Sequence, residues 1–287
     1  MIAVLKHELS NYFHTMTAYI FGAFLLVFIG IGAMLYNIQS ALANFEYVLS
    51  FVSLVLAIIV PIMTMRVIAE ERKQKTDQLL YSLPITTSEV VAGKFLALLM
   101  IFLIPLLLVG IYPYIFSQYG DVYLLTSYSS LLAFFIMGAA LMAIGMFISS
   151  LTENQGFAAG IGVAVILLNY YSVSLAEYVS STAFGSLLVL CACALILGVI
   201  IYRLTYHENL AYGVSLTVMF VLCISYYLDS AKFEGLLPEI MTRLSLFEQF
   251  NTFVYGVFDL SAITYYVTVI IFFLFLTVQS LEKRRYN

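Results

Sequence analysis

Charge is what this sequence has least of. Only 10% of its 287 residues are Asp, Glu, Lys or Arg, against 63% hydrophobic, where a soluble globule carries about 25% charge. Mean hydropathy is +1.03, so the chain reads as a polytopic membrane protein. The net charge of −4 is small and argues against a nucleic-acid partner. Cysteine is scarce too. Cys191, Cys193 and Cys223 all fall inside apolar runs, and Cys-x-Cys spacing turns two side chains to different faces of a helix, so they read as packing residues rather than metal ligands. No G-x-x-x-x-G-K-[ST] occurs; Gly93-Lys94 lacks the upstream glycine and is followed by Phe95. The chain therefore has no P-loop to cradle nucleotide phosphates, and ATP-driven work would need a second polypeptide. No Asp, Glu, Lys, Arg or His stands near the middle of an apolar run, which argues against a proton relay or ion-coupled carrier, although backbone cation sites stay open. An intramembrane protease is disfavoured as well. Glu70-Glu71 has no histidine in the later runs to complete a metal site, and no Ser or Cys nucleophile has a histidine within the membrane.

What is abundant is apolar sequence. Runs at Ala18–Tyr36, Val48–Met65, Phe95–Phe116, Ser127–Ser150, Phe157–Leu175, Gly185–Tyr202, Ala211–Leu228 and Ala262–Val278 are each on the order of the 17–25 residues that a membrane helix needs. Pro61 in the second, and Pro105 and Pro113 in the third, predict kinks. Ala41-Leu42-Ala43 resembles a cleavage site, but the run before it exceeds the about 7–15 residues of a signal peptide's apolar core, so the first run reads as a retained span. Eight spans place both termini on one side. Of twelve Lys and Arg, Lys6, Arg66, Arg72, Lys73, Lys75, Lys94, Arg203, Lys283, Arg284 and Arg285 then share that side, and Lys232 and Arg243 fall opposite. By the positive-inside rule the shared side is the cytoplasm. The expected fold is an all-α polytopic membrane protein of eight transmembrane helices, with an N-terminal interfacial amphipathic helix and cytoplasmic termini.

The interfacial helix is residues 1–16. Ile2, Leu5, Leu9, Tyr12, Phe13 and Met16 share one arc at the helical period, and Lys6, His7, Ser10, Asn11 and His14 fill the other, with Val4 as the exception. Between the fourth and fifth runs, Ser150 with Glu153, or Thr152 alone, is expected to cap the fifth helix. Gly156 and Gly160 then form a GxxxG pair that permits close helix approach, within the subunit or between subunits, the former being favoured. Asn169 and Thr268 are expected to hydrogen-bond between helices. Arg203, His207 and Glu208 read as a solvated turn. Residues 229–261 form an external amphipathic segment. In it Pro238 suits a first helical turn and Ser245 with Glu248 has capping-box spacing. Phe247, Phe250, Phe253, Tyr255 and Phe258 would lie on the outer membrane surface or cap a cavity.

The one long polar passage is Met65 to Lys94, MRVIAEERKQKTDQLLYSLPITTSEVVAGK. Thr86 and Glu89 have capping-box spacing, so a helix should start near Thr87. A structured loop between two spans is a surface for a soluble partner.

This passage resembles the segment after the second span in ABC-2-type transporter permeases. The likeness rests on Met65, Arg66, Ile68, Ala69, Glu70, Glu71, Arg72, Thr76, Leu79, Leu80, Ser82, Pro84, Ile85, Thr86, Glu89, Val91, Gly93 and Lys94, while Lys75 stands where the family usually has Gly. The Ser149–Gln155 turn is also similar to the family's. So is the C-terminal stretch from Leu244 to Tyr286, where Gly256, Val257, Asp259, Leu260, Leu281, Glu282, Arg284 and Arg285 look like the gliding-motility-type branch. Spans six and seven depart from the usual six-span permease. The resemblance implies a single permease domain over 1–287, with a coupling region at 66–94 that docks on an ABC ATPase subunit through Arg66, Glu70, Glu71, Arg72 and Asp77. It implies ATP and Mg bound on that partner, a second permease subunit, the bilayer of a bacterial cytoplasmic membrane, and export of an unidentified cargo. The competing reading is a non-transporting scaffold or sensor built on a permease-like fold.

Overall fold

The computed structural model describes residues 1–76, 86–179, 181–205 and 208–286, and among these residues the regular structure is helical throughout. The helices are α1 Ile2–His14, α2 Thr17–Ala33 with a π-helical turn at Met34–Gln39, α3 Glu46–Thr64, α4 Arg66–Gln74, α5 Thr87–Val109, α6 Ile111–Phe116, α7 Leu124–Leu151, α8 Gln155–Tyr178, α9 Ala183–Thr205, α10 Glu208–Leu228, α11 Leu236–Leu244, α12 Leu246–Val254 and α13 Leu260–Tyr286.

Six helical stretches among the described residues are long and apolar enough to cross a membrane: Thr17–Gln39, Glu46–Gln74, Thr87–Phe116, Leu124–Leu151, Gln155–Tyr178 and Leu260–Lys283. Helices α9 and α10 do form where the sixth and seventh spans were expected. Among the described residues their apolar parts, Ala183–Ala192 and Ser215–Leu228, are shorter.

The chain divides into two compact units, Met1–Tyr170 with Leu246–Asn287, and Tyr171–Ser245. In the first, α7 is the central helix: 72% of its most apolar window is buried, against 17% for that of α13. Its middle explains why. Gly138, Ala139, Ala140, Ala143 and Gly145 give α7 a thin waist, and without a hydrophobic drive between helices in lipid it is such close packing that holds spans together. Phe102 of α5 lies directly against Gly138; its ring stacks on Phe135 at 5.7 Å and meets Phe134 and Phe21 at 6.0 and 6.1 Å.

Helix α12 fills the same core. Phe247, Phe250 and Phe253 are buried, Phe250 meets Phe134 edge-on at 5.9 Å, and Tyr266 Oη donates to Leu246 O at 2.6 Å. Three of the five aromatics expected on an outer surface or over a cavity are thus packed inside the bundle, while Tyr255 and Phe258 remain exposed. An alternation of Phe at every third position describes a buried helix face as well as a lipid-facing one, and the sequence does not distinguish them.

The prolines act unequally. Helix α5 stops at Val109, four residues before Pro113, where a proline ring collides with the carbonyl. Pro105 lies inside continuous helix. Pro61 lies inside α3, which ends three residues later at Thr64.

In the second unit, α9 packs along α10, with α11 and a short 3-10 turn at Ser230–Phe233 beside them. Pro238 sits in the first turn of α11, and Tyr226 meets Phe233 edge-on at 5.5 Å. His207 lies outside the described residues, as do the side chains of Arg203 and Glu208.

Candidate docking site

The polar passage folds as α4 on its N-terminal side and the start of α5 on its C-terminal side; residues 77–85, Asp77 among them, lie outside the described set. The start of α5 is closed by a reciprocal capping box. Thr86 Oγ1 accepts from Glu89 N and Glu89 Oε2 accepts from Thr86 N, both at 3.3 Å, so two backbone donors left over at a helix start are satisfied by side chains.

One turn further into α5, Lys94 is 2% exposed. Its Nζ donates to Glu8 Oε1 and to Glu71 Oε1, each at 2.6 Å, and to Val67 O at 3.2 Å. All three ammonium donors are therefore used, which a buried lysine requires. The three side chains come from α5, α1 and α4, so a single cation ties the N-terminal helix, the polar passage and a span together. Gly93, the residue before it, lets α1 approach: a β-carbon there would lie 3.0 Å from Val4. Tyr12, one turn after Glu8, is 7% exposed, and burial together with the neighbouring Glu8 and Glu71 carboxylates pushes its phenol well above the ordinary range, so it stays neutral.

This geometry redraws the face of α1. The side turned to the protein carries Val4, Glu8 and Tyr12, while Ile2 and Met16, placed on the apolar arc, are 74% and 67% exposed. Val4 is the contact rather than the exception. The missed residue is Glu8: its place between Leu5, Leu9 and Tyr12 on the apolar arc marks it as unusual, but nothing local names its partner, which stands 86 positions away.

Helix α4 is anchored on its other side by α7. Its N-cap position is Met65, which has no side-chain oxygen to offer. Ser149 Oγ, fully buried, accepts from Ile68 N at 3.2 Å and Ala69 N at 3.1 Å and donates to Met65 O at 2.9 Å. The cap comes from another helix. At its C-terminal end α4 closes on Lys75 in the left-handed region, φ 57° and ψ 21°, with Lys75 N bonded to Arg72 O at 3.1 Å and Thr76 N to Glu71 O at 3.0 Å. This is a C-terminal turn of the kind that favours glycine. Lys75, standing where the family usually has glycine, itself adopts that left-handed conformation.

The residues named as docking contacts divide by direction. Arg66 is exposed and Glu70 half-buried; Glu71 is committed to Lys94, and Arg72 is 4% exposed. Lys73, Gln74 and Lys75 are exposed beside Arg66.

Two other polar expectations change. The cap of α8 is Asn154, whose Oδ1 accepts from Gly156 N at 3.0 Å and Phe157 N at 3.3 Å. Ser150 still belongs to α7, its hydroxyl bonded to Phe147 O at 2.7 Å. Asn169 does join helices, its Oδ1 accepting from Leu246 N at 3.0 Å, whereas Thr268 bonds back to Thr264 O in its own helix. Among the described residues, nothing lies within 4 Å of a β-carbon at Gly160 and only the Asn154 side chain approaches one at Gly156; it is Gly162 that packs closely, against Pro61.

No curated protein and no solved structure matches the chain. The family model described as "ABC-2 family transporter protein" matches residues 5–172, more than half of the sequence. The matched stretch contains Glu8, Ser149 and the whole polar passage with Glu71 and Lys94. The chain belongs to the ABC-2 transporter family as a membrane-spanning permease.

Proposed function

We propose that this permease subunit works with a separate ATPase subunit that binds ATP and Mg, docks on the Arg66–Lys94 passage and drives export of a cargo not yet identified. The observation that carries the reading is the Lys94 node. A passage that only linked two spans would have no need of a buried cation joining it to both α1 and α5, whereas a passage that receives force must be stiff. The exposed residues Arg66, Lys73, Gln74 and Lys75 form the contact surface, and Glu71 and Arg72 act from behind it. Two permeases, alike or different, pair in the membrane. The chain crosses eight times, α9 and α10 forming an additional hairpin, with both termini in the cytoplasm and α1 along the inner surface of a bacterial cytoplasmic membrane. The distribution of Lys and Arg supports that orientation. The likeness around Gly256–Leu260 and Leu281–Arg285 supports the gliding-motility-type branch. Tyr, Phe, Ser and Gly along the spans suit a hydrophobic or amphipathic cargo.

The test is purification from native membranes in mild detergent with identification of the accompanying chains, followed by Arg66→Glu and Lys73→Glu. A P-loop partner that co-purifies with the parent chain and is lost from these variants supports the reading. Absence of any nucleotide-binding chain, even after cross-linking through Lys73 and Lys75, discards it.

A further inference from the structure

The junction between α3 and α4 carries an inference about how docking would be transmitted, and it rests on the function just proposed. The two helices are consecutive in sequence, and the hydrogen-bond ladder between them is interrupted after Met65, whose own backbone angles stay helical at φ −56° and ψ −29°. The first turn of any helix leaves backbone N–H groups without partners. In α4 two of these, on Ile68 and Ala69, are met by Ser149 of α7, whose hydroxyl also returns a hydrogen bond to Met65 O. Ser149 thus holds both sides of the α4 start at once. Four residues before it, Gly145 lies against Thr64, the last residue of α3. Thr64 in turn spends its hydroxyl on Val60 O at 3.0 Å and Pro61 O at 3.3 Å in its own helix. Hydrogen bonds from α7 therefore reach α4, while at the end of α3 the contact is steric.

We propose that Ser149 is a positioning residue that fixes the docking helix α4 to α7, so that the two move as one body and the chain bends at Met65 relative to α3. A stroke delivered to α4 then enters the bundle through its most buried helix, rather than along the span that precedes it in sequence. Serine suits the task because its hydroxyl accepts two amide hydrogens and donates one of its own, and full burial keeps water from replacing it.

Spin labels at exposed positions test this on the full-length permease in lipid nanodiscs, after Cys191, Cys193 and Cys223 are changed to Ser. One pair, Lys73→Cys with Leu151→Cys, reports α4 against α7. A second, Lys73→Cys with Ile62→Cys, reports α4 against α3. In the permease alone, Ser149→Ala is expected to broaden the α4–α7 distance distribution, the displaced population rising about fivefold, as for loss of a helix cap. Ser150→Ala, whose hydroxyl bonds only within α7, leaves it narrow. An unchanged distribution in Ser149→Ala, or equal broadening in Ser150→Ala, overturns the proposal. With the ATPase bound, ATP is expected to shift the α4–α3 distance and leave the α4–α7 distance in place; equal shifts in both also overturn it. If no ATPase binds the parent permease, the docking function fails by itself, and the measurement on the permease alone still decides the role of Ser149.

Discussion

Gly145 of α7 and Thr64 of α3 meet so closely that a β-carbon on Gly145 would overlap the Thr64 hydroxyl. Thr64 is fully buried and its Oγ1 is held by Val60 O, so it has no room to rotate away. Gly145→Ala should destabilise the permease by about 1–3 kcal/mol, the usual cost of overpacking. Removing the opposing hydroxyl should relieve it: Gly145→Ala with Thr64→Ala is expected to recover most of the loss, a non-additivity that contacting residues show. Thermal unfolding in detergent of the two single variants and the double variant checks this. Additive losses would place the strain elsewhere.

The Lys94 node makes a second prediction, from its charge balance. Two carboxylates share one ammonium, and the ammonium is almost wholly buried. Lys94→Met leaves Glu8 and Glu71 facing each other, and breaking a buried pair in this way costs about 3–5 kcal/mol. Adding Glu8→Gln and Glu71→Gln to Lys94→Met removes the uncompensated charge, and the triple variant should regain much of the stability. A role in transmission separates from stability at this point. The triple variant should fold yet stimulate its ATPase poorly, because the bonds joining α1 to α4 are gone. Full stimulation in the triple variant would reduce the node to a packing feature.

How much of this was legible in the sequence depends on how local each signal is. The start of α5 follows from Thr86 and Glu89 alone, because a capping box is contained in four residues. The six helical stretches able to cross a membrane among the described residues each coincide with one of the eight apolar runs. What resisted reading was long-range pairing. Glu8 and Lys94 are 86 positions apart and Ser149 and Ile68 81 apart, and no pattern within one helix states which charge meets which. The misplaced cap of α8 was a boundary error. With α7 extending through Leu151, Ser150 is helical and the next side chain with an acceptor at the right place is Asn154. The aromatics of α12 were misjudged for a different reason: in a membrane protein an apolar face can meet lipid or protein, and composition is the same for both.

Lys75 offers a stabilising change. It occupies the left-handed region at the end of α4, a conformation that costs a residue with a β-carbon about 1 kcal/mol relative to glycine. Lys75→Gly should therefore raise the stability of α4 by about that amount, read as slower amide exchange at Lys75 and Thr76, whose N–H groups close the turn. Since Lys75 is exposed, the same variant also tests docking. Weaker ATPase binding despite a firmer helix end would show that its charge is used by the partner.

Asp259 makes a pH-dependent prediction at the start of α13. Its Oδ1 accepts from Ser261 N at 2.8 Å, and Ser261 Oγ donates to both carboxylate oxygens at 2.7 and 2.8 Å. These hydrogen bonds to the Ser261 hydroxyl and backbone hold the carboxyl below its ordinary value, and the position at a helix N-terminus favours negative charge in the same sense. A carboxylate with a depressed folded value contributes stability that is present above its unfolded value and lost as pH falls through the folded one. Asp259→Ala should therefore lower the unfolding midpoint at neutral pH, and the gap from the parent should close as pH drops below the ordinary carboxylate range. Asp259→Asn keeps an oxygen acceptor for Ser261 N and should fall between the two at neutral pH. A gap that persists undiminished in acid would mean that Asp259 holds the start of α13 by something other than its charge.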